Sequence, residues 1–180
     1  MDKRGIEVHL NTEATPEMIK ALDYDVVIAA TGANPMVLPI PGADPEKLFF
    51  AQETFAHPEK LGENVVVIGG GEVGVEIGIY LSRKGHKASV LEMRDRLAAD
   101  STAIHYYSML EEAWEAEPNF TGITGARVAA IKDGAVEYID KDGNTQSVPA
   151  DSVVMSAGMR PNKDLALSFY GCAKGFYMIG

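Results

Sequence analysis

Cysteine is almost absent from the sequence, and its scarcity excludes several kinds of chemistry. The chain has 180 residues and a single cysteine, Cys172. One thiol cannot form an intrachain disulfide, a CxxC redox pair or a cysteine-based zinc cluster. The four histidines are scattered and show neither HxH nor HExxH spacing, so the sequence predicts no metal site.

Basic residues are also scarce. Lysine and arginine together number 16 against 26 aspartates and glutamates, and the formal net charge is −10. Nucleic-acid backbones and anionic lipid surfaces are bound mainly through positive charge. We therefore expect neither a nucleic acid nor a membrane among the partners of this chain.

Long apolar runs are lacking as well. The longest stretch without a charged residue, 26–43, contains three prolines and two glycines, which is incompatible with a membrane helix. Residues 1–5 lack the apolar segment of a signal peptide. Because 46% of the residues are nonetheless hydrophobic, we expect a globular cytoplasmic protein with a sizeable core.

The chain contains alternating strand and helix patterns. Residues 6–10 alternate apolar and polar, which predicts a strand with one buried face. Thr15 and Pro16 are typical of the start of a helix, here a short one through Leu22. Residues 25–30 predict a buried strand ending at Thr31 and Gly32, and the proline-rich segment 34–41 predicts a stiff connector.

The strongest local signal is a glycine-rich turn between a strand and a helix. Residues 65–68 are four apolar β-branched residues, typical of a strand covered on both faces. Residues 69–74, GGGEVG, match GxGxxG. A helix from about residue 71 to 84 is then predicted, ended by Gly85. Its apolar face comprises Val73, Ile77, Tyr80 and Leu81.

An acidic residue follows the next predicted strand after this turn. Residues 87–91 predict that strand, and Glu92 follows at about the 20-residue distance of a dinucleotide-binding unit. In such a unit the first glycine permits the tight turn, the second lets a pyrophosphate approach and the third lets the helix pack on the sheet. The helix N-terminus favours the phosphates, and Glu92 accepts hydrogen bonds from the adenosine ribose.

Two arginines bear on the choice of nucleotide. An arginine near this strand end can hold the 2′-phosphate of NADP, and Arg94 and Arg96 are both placed for that role. Glu92 would repel the same phosphate. We therefore expect NAD(H) to be preferred over NADP(H).

The second half predicts a helix and an antiparallel meander. Residues 101–117 predict a helix with Ala103, Tyr107, Leu110 and Trp114 on one face, ended by Pro118. Residues 127–132, 135–140 and about 146–148 predict strands joined by Asp-Gly turns. Residues 150–158 predict a further strand, which repeats the pattern of residues 25–32: an acid, an apolar run, then a small residue and glycine.

Taken together, these motifs resemble the pyridine nucleotide–disulfide oxidoreductase superfamily of flavoprotein reductases. The resemblance covers essentially the whole chain and is greatest to the C-terminal part of NADH:flavin oxidoreductases of the 2,4-dienoyl-CoA reductase type. It rests on an Ala-Thr-Gly strand end, a proline-rich linker, GxGxxG, the Asp-Gly hairpins and the segment 158–162, GMRPN. It implies a Rossmann-like α/β fold in which a NAD(P)H domain is inserted within an FAD domain.

The resemblance also implies a division of the chain and a longer parent protein. We expect residues 1–61 to be a partial FAD-domain segment with linker, 62–158 the NAD(P)H domain and 159–180 the return segment of the FAD domain. The family's first FAD-binding βαβ unit has no counterpart before Ile6, and its closing Gly-Asp motif would follow Gly180. We therefore expect a fragment whose parent carries the missing FAD unit and an upstream barrel with FMN and an iron–sulfur cluster.

The activity implied is hydride transfer from NAD(P)H to FAD, with no catalytic residue and no metal required from this chain. In similar reductases a glutamate at the position of Glu76 comes near the nicotinamide, and the two glycine-ended strands approach the cofactors. The cofactor-binding residues predicted on this basis are Gly69, Gly70, Gly71, Glu72, Val73, Gly74, Glu76, Glu92, Met93, Arg94, Ala157 and Gly158 for the nicotinamide nucleotide, and Ala30, Thr31 and Gly32 for FAD.

Other functions stay open from the residues alone. A non-catalytic NAD(H)-sensing module would need the same turn and acid. A methyltransferase dependent on S-adenosylmethionine also has a glycine-rich first turn, but it would not need the hairpin layer or the repeated glycine-ended strands. Surface normally covered by the missing FAD unit would be apolar, and we expect it to drive self-association.

Overall fold

A computed structural model describes residues 4–179. Residues 1–3 of the segment predicted to lack a signal peptide, and Gly180 of the predicted return segment, lie outside this range. The helices are α1 (Pro16–Ala21), α2 (Ala51–Ala56), α3 (Glu72–Arg83), α4 (Ile104–Ala116) and α5 (Lys163–Ser168), with a 3₁₀ turn at Pro58–Lys60. The strands are β1 (Val26–Ala29), β2 (Ala33–Pro35), β3 (Phe49–Phe50), β4 (Asn64–Ile68), β5 (Lys87–Leu91), β6 (Phe120–Ile123), β7 (Arg127–Lys132), β8 (Ala135–Ile139), β9 (Thr145–Pro149), β10 (Ser152–Met155), β11 (Met159–Pro161) and β12 (Gly175–Met178).

The described residues divide into two compact units. Residues 4–34 and 160–179 form the first unit, and residues 35–159 form the second. The second unit thus includes residues 35–61, which the sequence analysis assigned to the FAD-domain segment and linker. The reason is that β3 pairs with β10 and that Leu48 and Leu61 are buried in the cores of the second unit. The chain passes from one unit to the other within β2 and again within β11. These two strands pair with each other.

A five-stranded parallel sheet forms the centre of the second unit. Its strand order is β3-β10-β4-β5-β6, and each neighbouring pair runs parallel. Parallel neighbours need a crossover connection, usually a helix. Helix α3 connects β4 to β5 and α4 connects β5 to β6, which is the alternating arrangement predicted from the sequence.

The two faces of this sheet are covered by different layers. Because side chains alternate along a strand, Val65 and Val67 pack in one core with Ile77 and Leu81 of α3. Val66 and Ile68 pack in a second core with residues of the meander β7-β8-β9, such as Val136. The predicted Rossmann-like sheet with an antiparallel meander layer is confirmed.

The meander turns at glycines in left-handed conformation. Gly134 and Gly143 have φ of +72° and +83°, left-handed values that glycine adopts without strain. Gly134 lies in a two-residue turn between Lys132 and Ala135, whereas Gly143 lies in the longer loop 140–144. The strands on either side pair antiparallel. Both predicted hairpins are therefore present.

Helix α3 matches its predicted bounds closely, but its buried surface differs from the prediction. Val73 is 48% exposed, whereas Val75 and Ile79 are buried together with Ile77 and Leu81. The helix contacts α2 and α4 as well as β5, so more than one apolar stripe is covered. Val73 belongs to the first turn, outside these contacts, and the prediction that it shares the buried face was wrong.

The first unit also corrects two predictions. Residues 6–10 form no strand, and Ile6, Val8 and Leu10 are exposed. Strand β1 forms as predicted but is covered on one face only, since Val26 and Ile28 are at least half exposed whereas Ala29 is buried. A strand face is covered only where another layer packs on it. Among the described residues, β1 pairs only with β12 in a two-stranded sheet, and no strand pairs with residues 6–10.

Helix ends follow local chemistry where the sequence provides it. The Thr15 side chain accepts a hydrogen bond from the Met18 N–H at 3.3 Å and caps α1, with Pro16 in the first turn as predicted. Helix α4 begins at Ile104, later than predicted, and Ala103 at its N-cap position makes no side-chain hydrogen bond to the helix. None of the helices in the described part of the chain combines the length and apolar character needed to cross a bilayer.

Adjacent residues of α4 provide a test of this packing. Leu110 is 6% exposed, whereas Met109 is 63% exposed. Because truncation of a buried leucine removes burial and leaves a cavity, Leu110→Ala should lower the free energy of unfolding by about 2–4 kcal/mol. Met109→Ala, the matched control, should change it by less than about 0.5 kcal/mol. Urea unfolding followed by circular dichroism measures both, and equal losses would contradict the assigned face.

Candidate functional site

Three predicted site segments meet at one edge of the parallel sheet. Residues 69–74 follow β4, residues 92–94 follow β5, and residues 156–158 follow β10. These three strands are adjacent and parallel, so their carboxyl ends lie side by side. Ligands of open α/β sheets bind at this end of the strands.

The glycine turn is held by close backbone contacts at its two ends and open in its middle. Gly69 has φ of +106°, and a Cβ there would lie 2.4 Å from the Ser156 carbonyl oxygen. A Cβ on Gly74 would lie 1.8 Å from the Gly69 carbonyl oxygen. No heavy atom lies within 4 Å of the position of a Cβ on Gly71. The first and third glycines thus serve packing, and the second leaves room for a ligand.

The start of α3 can receive an anion. Gly71 is the N-cap residue and provides no side-chain cap, so the N–H groups of the first turn remain available to an outside acceptor. The positive end of the helix dipole lies at the same place. Glu72 is half-buried and Val73 exposed in this turn. The open space at Gly71 and these donors fit a pyrophosphate group.

Glu92 links the glycine turn to the end of β5. Its side chain is buried; Oε2 accepts a hydrogen bond from the Gly70 N–H at 2.7 Å, and Oε1 accepts from the N–H and Nε–H of Arg94 at 2.9 and 3.2 Å. An ionised carboxylate offers about four lone-pair sites. Three are occupied, and the fourth belongs to Oε2. Glu92 can therefore accept from one further donor, such as a ribose hydroxyl, while Arg94 stays in place.

Arg94 is bound by a second carboxylate. Its two terminal nitrogens donate to Asp100 at 2.5 and 2.9 Å, in a bidentate pair. Hydrogen bonds to Asp100, and next to Glu92, raise the pKa of Arg94, and Arg94 in turn lowers the pKa of Asp100. Met93, between Glu92 and Arg94, is 70% exposed. Arg96 donates to the Ala99 carbonyl at 3.3 Å and lies over the Tyr107 ring.

Glu76 lies one turn further along α3 and has a partner on α4. The Tyr106 hydroxyl donates a hydrogen bond to Glu76 Oε1. Burial, and secondarily the negative charge of Glu72, raises the pKa of Glu76 above its usual 4.5. The carboxyl group of Glu76 is therefore more easily protonated than a free glutamate.

The two glycine-ended strands place their predicted residues in different units. In the second unit, Ala157 packs against the second core, and the Gly158 carbonyl accepts from the Met36 N–H at 3.0 Å. Ala30, Thr31 and Gly32 belong to the first unit. There the Thr31 hydroxyl donates to the Asn162 carbonyl at 3.2 Å, and the Asn162 amide donates back to the Thr31 carbonyl at 3.1 Å.

Comparison with known proteins shows the family. The model of the pyridine nucleotide-disulphide oxidoreductase family matches residues 1–175. The chain belongs to this family. The resemblance inferred from the sequence motifs is thus confirmed at the level of the superfamily.

Relatives of this chain include redox enzymes. It is 34% identical to an NADH oxidase of Thermoanaerobacter brockii over 165 residues, covering 89% of this chain and 25% of that protein. It is 35% identical to a bilirubin reductase of Mediterraneibacter gnavus strain CC55_001C, covering 90% and 25%. A structure of a 2-naphthoyl-CoA reductase complex matches with a TM-score of 0.87 and 32% identity, covering 99% of this chain and 27% of that one. The chain thus spans about a quarter of the length of these relatives.

Three features of this candidate site escaped the sequence analysis. Asp100 and Tyr106, the partners of Arg94 and Glu76, were not identified, because neither shares a motif with its partner. The segment after β5 also closes on the turn, where the Ala98 N–H donates to the Gly70 carbonyl at 2.7 Å. Ala98 has φ of +46°, which no residue type in this segment indicates. Among the described residues, no group of three or more side chains is placed to hold a metal ion.

Alanine substitutions at the second and third glycines should separate packing from ligand space. Gly74→Ala places a methyl group against the Gly69 carbonyl, so we expect a loss of about 1–3 kcal/mol or more in unfolding free energy. Gly71→Ala meets no neighbour and has ordinary backbone angles, so its stability should equal or slightly exceed that of the wild type. Thermal and urea unfolding measure both. Similar stability of the two variants would contradict the described turn.

The raised pKa of Glu76 predicts a pH dependence of stability. Because the folded chain holds this proton more tightly than the unfolded chain, the free energy of unfolding falls as pH rises from 4.5 through the raised pKa. Glu76→Gln lacks this fall and should gain stability relative to wild type as the pH rises through that window. Urea unfolding at about pH 4 to about pH 7 measures the difference. Glu112→Gln, on the exposed surface of α4, is the control, and a pH-independent effect of Glu76→Gln would refute the assignment.

Proposed function

We propose that the second unit binds NAD(H), and that the chain serves an oxidoreductase in which hydride passes from the nicotinamide nucleotide to FAD. The observation that carries the proposal is the hydrogen bond from the Gly70 N–H to Glu92. It fixes the carboxylate beside the glycine turn, and in dinucleotide-binding folds such a turn takes the pyrophosphate and such an acid the ribose.

The residues of the turn take the diphosphate part of the nucleotide. The pyrophosphate lies over Gly71 and accepts hydrogen bonds from backbone N–H groups of residues 71–74, with Glu72 and Val73 flanking it. The free lone pair on Glu92 Oε2 accepts from one hydroxyl of the adenosine ribose, and the exposed Met93 lies beside the adenosine. A negative charge at Glu92 opposes a 2′-phosphate, so NAD(H) is preferred over NADP(H).

The nicotinamide end is assigned to Glu76, Ala157 and Gly158. Support comes from the family membership and from the position of residues 156–158 directly beside the turn, where Ser156 contacts Gly69. The nucleotide supplies the hydride, and these residues bind and orient the ring. Tyr106 holds the Glu76 carboxyl group in a fixed position.

The first unit is proposed to contribute to an FAD domain. Gly32 has φ of +70°, and no heavy atom lies within 4 Å of the position of a Cβ there, so Ala30, Thr31 and Gly32 can pass close to a flavin nucleotide. Since the chain spans about a quarter of its relatives, the remaining FAD segments, and the barrel with FMN and an iron–sulfur cluster, are proposed for the parent protein. The exposed apolar residues of β1 and β12 would then favour self-association of this chain.

Calorimetric titration with NADH, NADPH and FAD tests the proposal. We expect saturable binding of NADH, weaker binding of NADPH and no binding of FAD. Gly71→Ala places a methyl group where the pyrophosphate lies and should weaken NADH binding at least about tenfold, the equivalent of about 1.4 kcal/mol, without loss of fold. Ser108→Ala, on the exposed face of α4, is the control. Unchanged NADH affinity in Gly71→Ala, or no NADH binding by the wild type, would refute the proposed site.

A further inference from the structure

Two arginines follow β5 and Glu92 in the sequence, and each is bound by neighbouring residues. An arginine at such a strand end is the group that accommodates the 2′-phosphate of NADP in dinucleotide-binding folds. The Arg96 guanidinium lies over the Tyr107 ring, 5.5 Å from its centroid, and donates to the Ala99 carbonyl. Arg94 is bound on two sides, by Glu92 and by Asp100.

The contact with Asp100 occupies the part of Arg94 that a phosphate would use. A guanidinium binds carboxylates and phosphates alike through pairs of parallel N–H donors. Nη1 and Nη2 of Arg94 both donate to Asp100, at 2.5 and 2.9 Å, and Nε donates to Glu92. A phosphate would bind to a pair of neighbouring guanidinium nitrogens. Each such pair in Arg94 already contacts a carboxylate.

We propose that Asp100 is a specificity-determining residue, which disfavours NADPH by holding the Arg94 guanidinium in a bidentate pair and thereby withholding it from a 2′-phosphate. The inference rests on the proposed function, because it assumes that the adenosine ribose lies at Glu92. It assigns the nucleotide preference to two carboxylates of different kinds. Glu92 is buried and contacts the ribose, whereas Asp100 is exposed and acts only through Arg94.

The exposure of Asp100 sets the expected size of the effect. Its side chain is 73% exposed and that of Arg94 is 40% exposed, so the pair is solvated and screened by salt. Breaking it releases the terminal nitrogens of Arg94 and removes one negative charge. Glu92 remains and still opposes the 2′-phosphate. Loss of the Arg94–Asp100 pair should therefore reduce the preference for NADH over NADPH by about tenfold or less, without reversing it.

Substitution of Asp100 tests the inference in the full 180-residue chain. Asp100→Asn keeps the shape of the side chain and removes its charge. NADPH affinity should rise about three- to tenfold, and NADH affinity should change less than about twofold. Asp95→Asn is the matched control, because it removes the same charge next to Arg94 in sequence but leaves the Arg94–Asp100 pair intact. The double variant Asp100→Asn, Arg94→Gln should lose the gain in NADPH affinity. Calorimetry with NADH and NADPH at low and high salt provides the constants, and thermal unfolding confirms the fold.

Each outcome decides between the two proposals. A rise in NADPH affinity that is specific to Asp100→Asn, requires Arg94 and shrinks at high salt supports the inference. An equal rise in Asp95→Asn, or a rise that persists without Arg94, overturns it in favour of a general charge effect. An unchanged NADPH affinity in Asp100→Asn overturns it while leaving the proposed function standing, provided that NADH binds. Failure of NADH to bind the wild type overturns the proposed function and the inference together.

Discussion

The site depends on one hydrogen bond, from the Gly70 N–H to the buried carboxylate of Glu92. The bond joins the turn after β4 to the residue after β5, so the two segments are fixed relative to each other before any ligand binds. A buried carboxylate would be costly without partners, and the N–H groups of Gly70 and Arg94 provide them. The same contacts leave a single lone pair of Glu92 free, which limits what the carboxylate can recognise.

The parts of this site that the sequence predicted are those that local rules determine. The bounds of α3, the glycine turn and the place of Glu92 follow from residues within one strand–helix–strand unit, where spacing alone sets geometry. The meander was predictable for the same reason, because Asp-Gly turns determine how adjacent strands pair. What the sequence missed depends on packing between elements. Asp100 and Tyr106 reach their partners from a loop and from α4, and Val73 is exposed because the buried surface of α3 is set by its neighbours.

In the first unit, the local patterns predicted more strand and more burial than the structure shows. Residues 6–10 have the alternation of a strand and residues 26–29 have its apolar composition, yet the former make no strand and the latter expose Val26 and Ile28. A periodic pattern states which face of a strand prefers to be buried, but it does not provide the partner that buries it. Thr15 and Pro16, by contrast, act on their own helix, and α1 begins where they predict.

Arg94 contacts both carboxylates that are proposed to govern nucleotide binding: Glu92, for the ribose, and Asp100, which disfavours a 2′-phosphate. Its Nε–H and backbone N–H occupy Oε1 of Glu92, and its terminal nitrogens occupy Asp100. Any group that draws the guanidinium away from Asp100 can also disturb Oε1, and release of Oε1 would return one lone pair to Glu92. The number of ribose hydroxyls that Glu92 can accept is therefore tied to the position of Arg94. In the proposed nucleotide complex, a network of two carboxylates and one guanidinium therefore sets both the contacts to the ribose and the tolerance of a phosphate on it, although the sequence motifs identified only Glu92 and Arg94 and not Asp100.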